Sequence, residues 1–123
     1  MMSVIDWFEI PTTNLDRAQK FYETVLGVRF KSDTFGGIPQ ALFLSEKGGH
    51  APGGALIQDP RRKPNPDGTL VYLDAAKDLD GCLQRVTKAG GRVVLPKTDI
   101  GDPGFIAIFA DTEGNTVGLH VEK

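Results

Sequence analysis

Asn14-Leu15-Asp16-Arg17-Ala18-Gln19-Lys20-Phe21-Tyr22-Glu23-Thr24-Val25-Leu26-Gly27 decides how this chain folds. Leu15, Ala18, Tyr22, Val25 and Leu26 fall on one face of a helix. Arg17, Gln19, Lys20 and Glu23 take much of the remainder. Thr12-Thr13-Asn14 supplies capping oxygens before it, and Gly27 is the residue type that ends a helix in a left-handed conformation. The pattern returns later in the chain. Leu15 and Leu79, Ala18 and Cys82, Tyr22 and Val86, Val25 and Ala89, and Gly27 and Gly91 are each 64 residues apart. Four matched core positions and a matched helix stop make an internal repeat, which takes precedence over other fold arguments.

Working outward, Val4–Ile10 is β-prone and stops at Pro11. Val28-Arg29-Phe30 resumes extended structure, Gly36-Gly37 turns, and Gln40–Leu44 and Gly53–Gln58 read as strands. Asp59–Gly68 has three prolines and no apolar side chain, which makes it a connector. Beyond it, Thr69–Leu73 is a strand, Asp78–Ala89 a helix ended by Gly90-Gly91, and Arg92–Leu95 a strand. Two more strands, in Gly104–Phe109 and Asn115–Val121, flank the turn Asp111-Thr112-Glu113-Gly114. The fold class is therefore α+β, with two tandem βαβββ units forming a curved mixed sheet around a cavity and helices on the outer face. One domain, 1–123, is expected, with unit one at about 1–58, the connector at 59–68 and unit two at 69–123. Period-two alternation puts Trp7 and Glu9 on one face of the first strand and Phe8 and Ile10 on the other. On the last strand it opposes Thr116, Gly118 and His120 to Val117, Leu119 and Val121.

Composition narrows the function classes. No apolar run approaches the roughly 20 residues of a membrane span. The N-terminus lacks the basic and apolar regions of a signal peptide, so the expected location is cytoplasmic. A net charge of −2 argues against nucleic-acid binding by charge. The single cysteine, Cys82, excludes an internal disulfide framework and sits on the buried helix stripe as a small apolar residue. His50 is a lone loop histidine read as surface, and Arg61-Arg62-Lys63 is a short solvated run.

The chain resembles the vicinal oxygen chelate superfamily, which includes glyoxalase I, extradiol dioxygenases, fosfomycin-resistance enzymes and bleomycin-resistance proteins. The carriers are Phe8-Glu9-Ile10-Pro11, Asn14-Leu15-Asp16-Arg17-Ala18 through Phe21-Tyr22 to Leu26-Gly27, Lys88-Ala89-Gly90-Gly91, and Asp111–Asn115 through Gly118-Leu119-His120. The likeness spans essentially the whole chain and is closest to small bacterial glyoxalase-like proteins. Metal-using members of that family draw ligands from the first and last strand of each unit. Carried over, those positions are Trp7, approximately Ala55, Val71 and Gly118, and none has a metal-binding side chain. The resemblance thus implies no metal and no cofactor, and a metal-dependent glyoxalase I reaction is not expected.

Glu9, inside an apolar run, and His120, beside the small Gly118, are the candidate catalytic pair or polar anchors. Gly118 is expected to leave open space beside His120. Trp7 is a candidate stacking wall or a plug of the former metal site. Lys97, in an inferred closing loop, is a candidate for an anionic group, though an exposed turn lysine is commoner. Phe105, Val71 and Gly118 complete the candidate substrate-binding set. The leading function is a small-molecule binder acting in the sheet cavity without the family metal. The alternatives are a metal-independent lyase or isomerase using Glu9 with His120, a metal-dependent enzyme with other ligands, and a degenerate scaffold. A homodimer is expected, since sheets this small leave edges and faces for a second chain, and the resemblance implies the same.

Overall fold

A computed structural model of the chain describes residues 4–44 and 53–123, so His50 lies outside the described residues. The first unit runs β1 (Phe8–Pro11), α1 (Leu15–Leu26), β2 (Arg29–Phe35), β3 (Ile38–Leu44) and β4 (Gly54–Ile57). The second runs β5 (Tyr72–Asp74), α2 (Leu79–Lys88), β6 (Arg92–Asp99), β7 (Phe105–Ala110) and β8 (Thr116–Val121). The α+β class and the tandem βαβββ order are those of the sequence reading. The strands form two four-stranded mixed sheets, ordered β1-β4-β3-β2 and β5-β8-β7-β6, and among the described residues no barrel closes.

Local chemistry starts and stops the helices in parallel ways. The Asn14 side chain accepts from the Arg17 N–H at 3.0 Å, and the Asp78 side chain accepts from the Gly81 N–H at 3.1 Å. Gly27 ends α1 at φ +68°. The sequence match assigned the second stop to Gly91, but Gly90 takes the positive φ there, at +100°. Gly91 is needed for a different reason: a Cβ on it would meet the Ala110 carbonyl at 2.7 Å and the Phe21 ring at 2.8 Å.

Each helix covers one face of its own sheet. Ala18, Phe21, Tyr22 and Val25 of α1, and Leu79, Cys82 and Val86 of α2, enter a core shared with Ile10, Ala41, Leu56, Ala107, Phe109 and Leu119. Phe21 and Tyr22 of α1 bring their ring centroids within 5.6 and 6.1 Å of Phe109 in the second sheet. The helix-covered faces of both sheets therefore meet in one core, and both uncovered faces turn away from it. Complete burial of an aliphatic or aromatic side chain contributes about 1.5–3 kcal/mol, so this core is what fixes the two units together.

The repeat has an offset that depends on where it is read. The helix caps Asn14 and Asp78 are 64 residues apart. The exits from β1 and β5 are not: Thr12 N–H donates to Ile57 O, and Ala75 N–H donates to His120 O, and both partners are shifted by 63. Unit two thus carries one extra residue between strand and helix. It is absorbed where Ala76 and Lys77 adopt φ +54° and +68°, the only non-glycine positive values among the described residues. The position equivalent to Trp7 is consequently Leu70, and the sequence alignment that put Val71 there was one residue out.

Candidate functional site

The register assigns the uncovered faces. On the first sheet Glu9 pairs with Ala55, Leu42 with Ala55, and Gln40 with Ile57. Leu42, Ala55 and Ile57 form a small buried cluster of their own, separate from the main core. Above it lies a cavity of about 430 Å³ lined by Glu9, Phe35, Ile38, Gln40, Ile57, Asp59, Arg61 and Arg62. On the second sheet Tyr72 pairs with Gly118, Asp74 with His120, and Ile106 with His120. These residues, with Leu73 and Ile100 and without Gly118, line a cavity of about 590 Å³.

Trp7 and Glu9 share the first face. The Trp7 Nε1–H donates to Glu9 Oε2 at 3.4 Å, and Trp7 is 39% exposed, so it stands at the rim rather than plugging the interior. Glu9 also lines a narrower groove of about 180 Å³ with Val71, Lys63, Thr116 and Val117, where the edge strand β1 approaches β8. Glu9 and Val71 are brought together there. Glu9 lines the 430 and 180 Å³ cavities, whereas His120 lines the 590 Å³ one.

His120 has a defined hydrogen bond. Its Nε2 lies 2.6 Å from the Pro103 carbonyl oxygen, which only accepts. Nε2 must therefore carry a proton, and in the neutral ring Nδ1 is left as an acceptor. The open space expected beside it at Gly118 is filled: a Cβ there would meet the Tyr72 ring at 2.4 Å. Tyr72 lies over this glycine because the β5–β8 register pairs the two, as the β1–β4 register pairs Glu9 with Ala55. No motif in the sequence marks Tyr72, Gln40 or Asp74 as site residues; the register does.

Lys97 and Phe105 turn the other way. Lys97 belongs to β6 rather than to a loop, because Pro96 is accommodated where the β6–β7 register slips. The Lys97 Nζ lies 3.4 Å from Asp80 Oδ2 on α2 and 4.7 Å from the Phe105 ring centroid. Phe105 packs against the main core. Neither residue lines the two open-face cavities.

The donor set does not fit the metal that the fold family implies. Trp7, Ala55, Leu70 and Gly118 offer no ligating side chain, and no group of three His, Cys, Asp or Glu among the described residues is arranged to hold an ion. Cys82 is buried in the core, and burial pushes its thiol up despite the opposing Arg85 charge, which keeps it a protonated, packed side chain.

A buried polar clasp connects the units. Glu113 Oε1 accepts from the N–H groups of Thr13 and Asn14 at 3.0 and 2.9 Å. Arg17 Nε donates to Oε2 at 2.7 Å. Burial pushes the Glu113 carboxyl up, but the Arg17 hydrogen bond and the N–H donors outweigh it and hold it at about 2. Beside it the Tyr22 hydroxyl donates to Asp111 Oδ2 at 2.7 Å, and Asn115 Nδ2 donates to Pro11 O at 2.8 Å.

The family model for the Glyoxalase/Bleomycin resistance protein/Dioxygenase superfamily matches residues 4–119. The chain belongs to this superfamily. A Didymella fabae glyoxylase-like domain-containing protein is 32% identical over 116 residues, covering 91% of this chain and 88% of that protein. The Mycobacterium tuberculosis (strain CDC 1551 / Oshkosh) protein named "Putative glyoxylase CFP32" is 29% identical over 93% of this chain, which spans only 44% of its length. Among solved structures, a glyoxylase/bleomycin resistance protein/dioxygenase domain from Frankia sp. EAN1pec superposes with a TM-score of 0.75 at 16% identity, with full coverage of both chains. TnmS3, an antibiotic binding protein from Streptomyces sp. CB03234, gives 0.65 at 23% identity, covering 99% of this chain and 98% of its own. At these identities the structures establish the superfamily fold alone. No described helix is long and apolar enough to cross a membrane.

Proposed function

We propose that this superfamily member binds a small organic molecule without the family metal, between the first-sheet face of one copy and the second-sheet face of another. The observation that carries this reading is the placement of its polar groups and exposed apolar surface. Trp7 and Phe35, 39% and 51% exposed, border the first open face, and Tyr72 and Ile100, 44% and 41% exposed, border the second. Glu9 belongs to one face and His120 to the other. Both faces point away from a single core, so a ligand meets both residues only when a second chain supplies one of them. The antibiotic-binding activity in the name of TnmS3 supports a binding role for this fold.

The test is complementation between chains. Glu9→Gln and His120→Ala are each expected to form dimers that bind poorly by calorimetry against a screened ligand. Mixing and refolding the two variants would regenerate one intact site in the mixed dimer, and binding capacity would partly return. A monomer by light scattering, or no recovery on mixing, refutes the shared site. Turnover of the same ligand that depends on both residues would favour a lyase or isomerase, for which the His120 Nδ1 acceptor is the available base.

A further inference from the structure

We infer that the first-sheet cavity takes an organic monocarboxylate with an apolar body, held by Gln40 and Arg62. This rests on the reading that the open faces bind a small molecule, and it adds the chemical class of that molecule.

Gln40 is the starting point. The residue is only 8% exposed, yet its side-chain amide makes no hydrogen bond among the described residues. Buried amides are nearly always paired. Among the described residues no buried side-chain nitrogen or oxygen is left both sealed and unpartnered, so this amide opens onto the cavity it lines. The β3–β4 register sets it opposite Ile57, beside the apolar floor of Leu42 and Ala55.

Two arginines border the same cavity in different states. Arg61 is consumed by the buried Asp59, which accepts from its Nε at 3.1 Å, its Nη2 at 3.0 Å and its backbone N–H at 2.9 Å. Arg62 has no ion-pair partner among the described residues, and its backbone N–H is tied to the Asp59 carbonyl at 2.9 Å in the same turn. The Asp59–Arg61 clamp thus fixes the turn and leaves Arg62 as the cavity's uncommitted cation. A planar guanidinium fork and an amide N–H₂ together match the two oxygens of a carboxylate.

The walls decide the rest. Phe35, Ile38 and Ile57 offer apolar surface for the ligand's body. Glu9 lines the same cavity and repels a second negative charge, which selects a monoanion over a dicarboxylate or a phosphate dianion.

The experiment uses calorimetric titration of the full chain with naphthoate and with naphthamide, its neutral isostere. Naphthoate is expected to bind about tenfold more tightly. Arg62→Gln, at an exposed position that leaves the melting temperature in place, is expected to abolish most of that preference. Gln40→Leu is expected to weaken naphthoate binding by a similar factor. Equal binding of naphthoate and naphthamide, or a preference that survives Arg62→Gln, overturns the ligand class and leaves the binding reading standing. Failure of both compounds to bind at millimolar concentration overturns both.

Discussion

Replacing Glu113 by glutamine tests the clasp between the units, and its size follows from the structure. A carboxyl held at about 2 in the folded chain, against 4.5 for an ordinary glutamate, stabilises the fold by about 3 kcal/mol at neutral pH. The Arg17 side chain is 49% exposed, so solvent screens its share, and about 2–3 kcal/mol is the expected loss. The sign is fixed by the depressed value. The stabilisation is complete above about pH 5, declines as the pH falls through 4.5 towards 2, and is gone below that. Urea denaturation of the wild type and Glu113→Gln should therefore show a gap of about 2–3 kcal/mol at pH 7 that closes on acidification. In thermal melts this is about 6–15 °C for a chain of this size. Arg17→Met should open a smaller gap than Glu113→Gln, because the Thr13 and Asn14 N–H donors remain. A gap under about 1 kcal/mol at pH 7, or one that stays constant down to pH 2, would show that the carboxylate does not hold the units together in this way.

Two glycines offer a contrast in packing. A Cβ on Gly54 or on Gly118 would come within 2.4 Å of an aromatic ring, Phe8 in one case and Tyr72 in the other. Phe8 is wedged against Phe43 at 5.5 Å between centroids, so Gly54→Ala should cost about 1–3 kcal/mol in urea melts. Tyr72 is 44% exposed and can swing outward, so Gly118→Ala should cost under about 1 kcal/mol; equal costs would refute the distinction. Cys82 should react with a disulfide reagent only as fast as the protein opens, and denaturant should accelerate the reaction steeply.

Periodicity served well wherever one face of an element is buried. The stripe Leu15, Ala18, Tyr22, Val25 and its partner Leu79, Cys82, Val86 needed only the helical period, because the core they enter tolerates few alternatives. The alternation on the last strand was equally legible, since Val117, Leu119 and Val121 are buried and His120 is not. Lys97 was placed in a loop, but a slip in the β6–β7 register lets β6 continue past Pro96 to Asp99. Gln40 carried no signal, because an isolated glutamine in a strand looks like solvent-facing polarity until the register shows it beside a closed apolar floor.

The inserted residue accounts for a further misreading, the placing of Val71 rather than Leu70 at the position equivalent to Trp7. The strands of the open faces match at 63 residues, Glu9 with Tyr72 and Ala55 with Gly118, whereas the helix caps match at 64. The extra residue near Ala76 and Lys77 shifts β5 by one relative to α2 and leaves the β5–β8 pairing equivalent to that of β1 and β4. Two consecutive side-chain-bearing residues at positive φ cost roughly 1–3 kcal/mol each, and such strain persists only where surrounding structure imposes it. Here Asp74 Oδ1 accepts from the Ala76 N–H at 2.8 Å, and Ala75 N–H is tied to His120 O at 2.9 Å, so the kink is held from both sides. At matched positions the two faces nevertheless carry different residues. The first face keeps Glu9, Gln40 and an arginine without an ion-pair partner among the described residues around its cavity, whereas the second presents a tyrosine ring, two isoleucines, His120 and the Asp74 carboxylate. Under the shared site proposed above, a ligand would therefore meet an amide and an arginine on one wall and a tyrosine ring with isoleucines on the other.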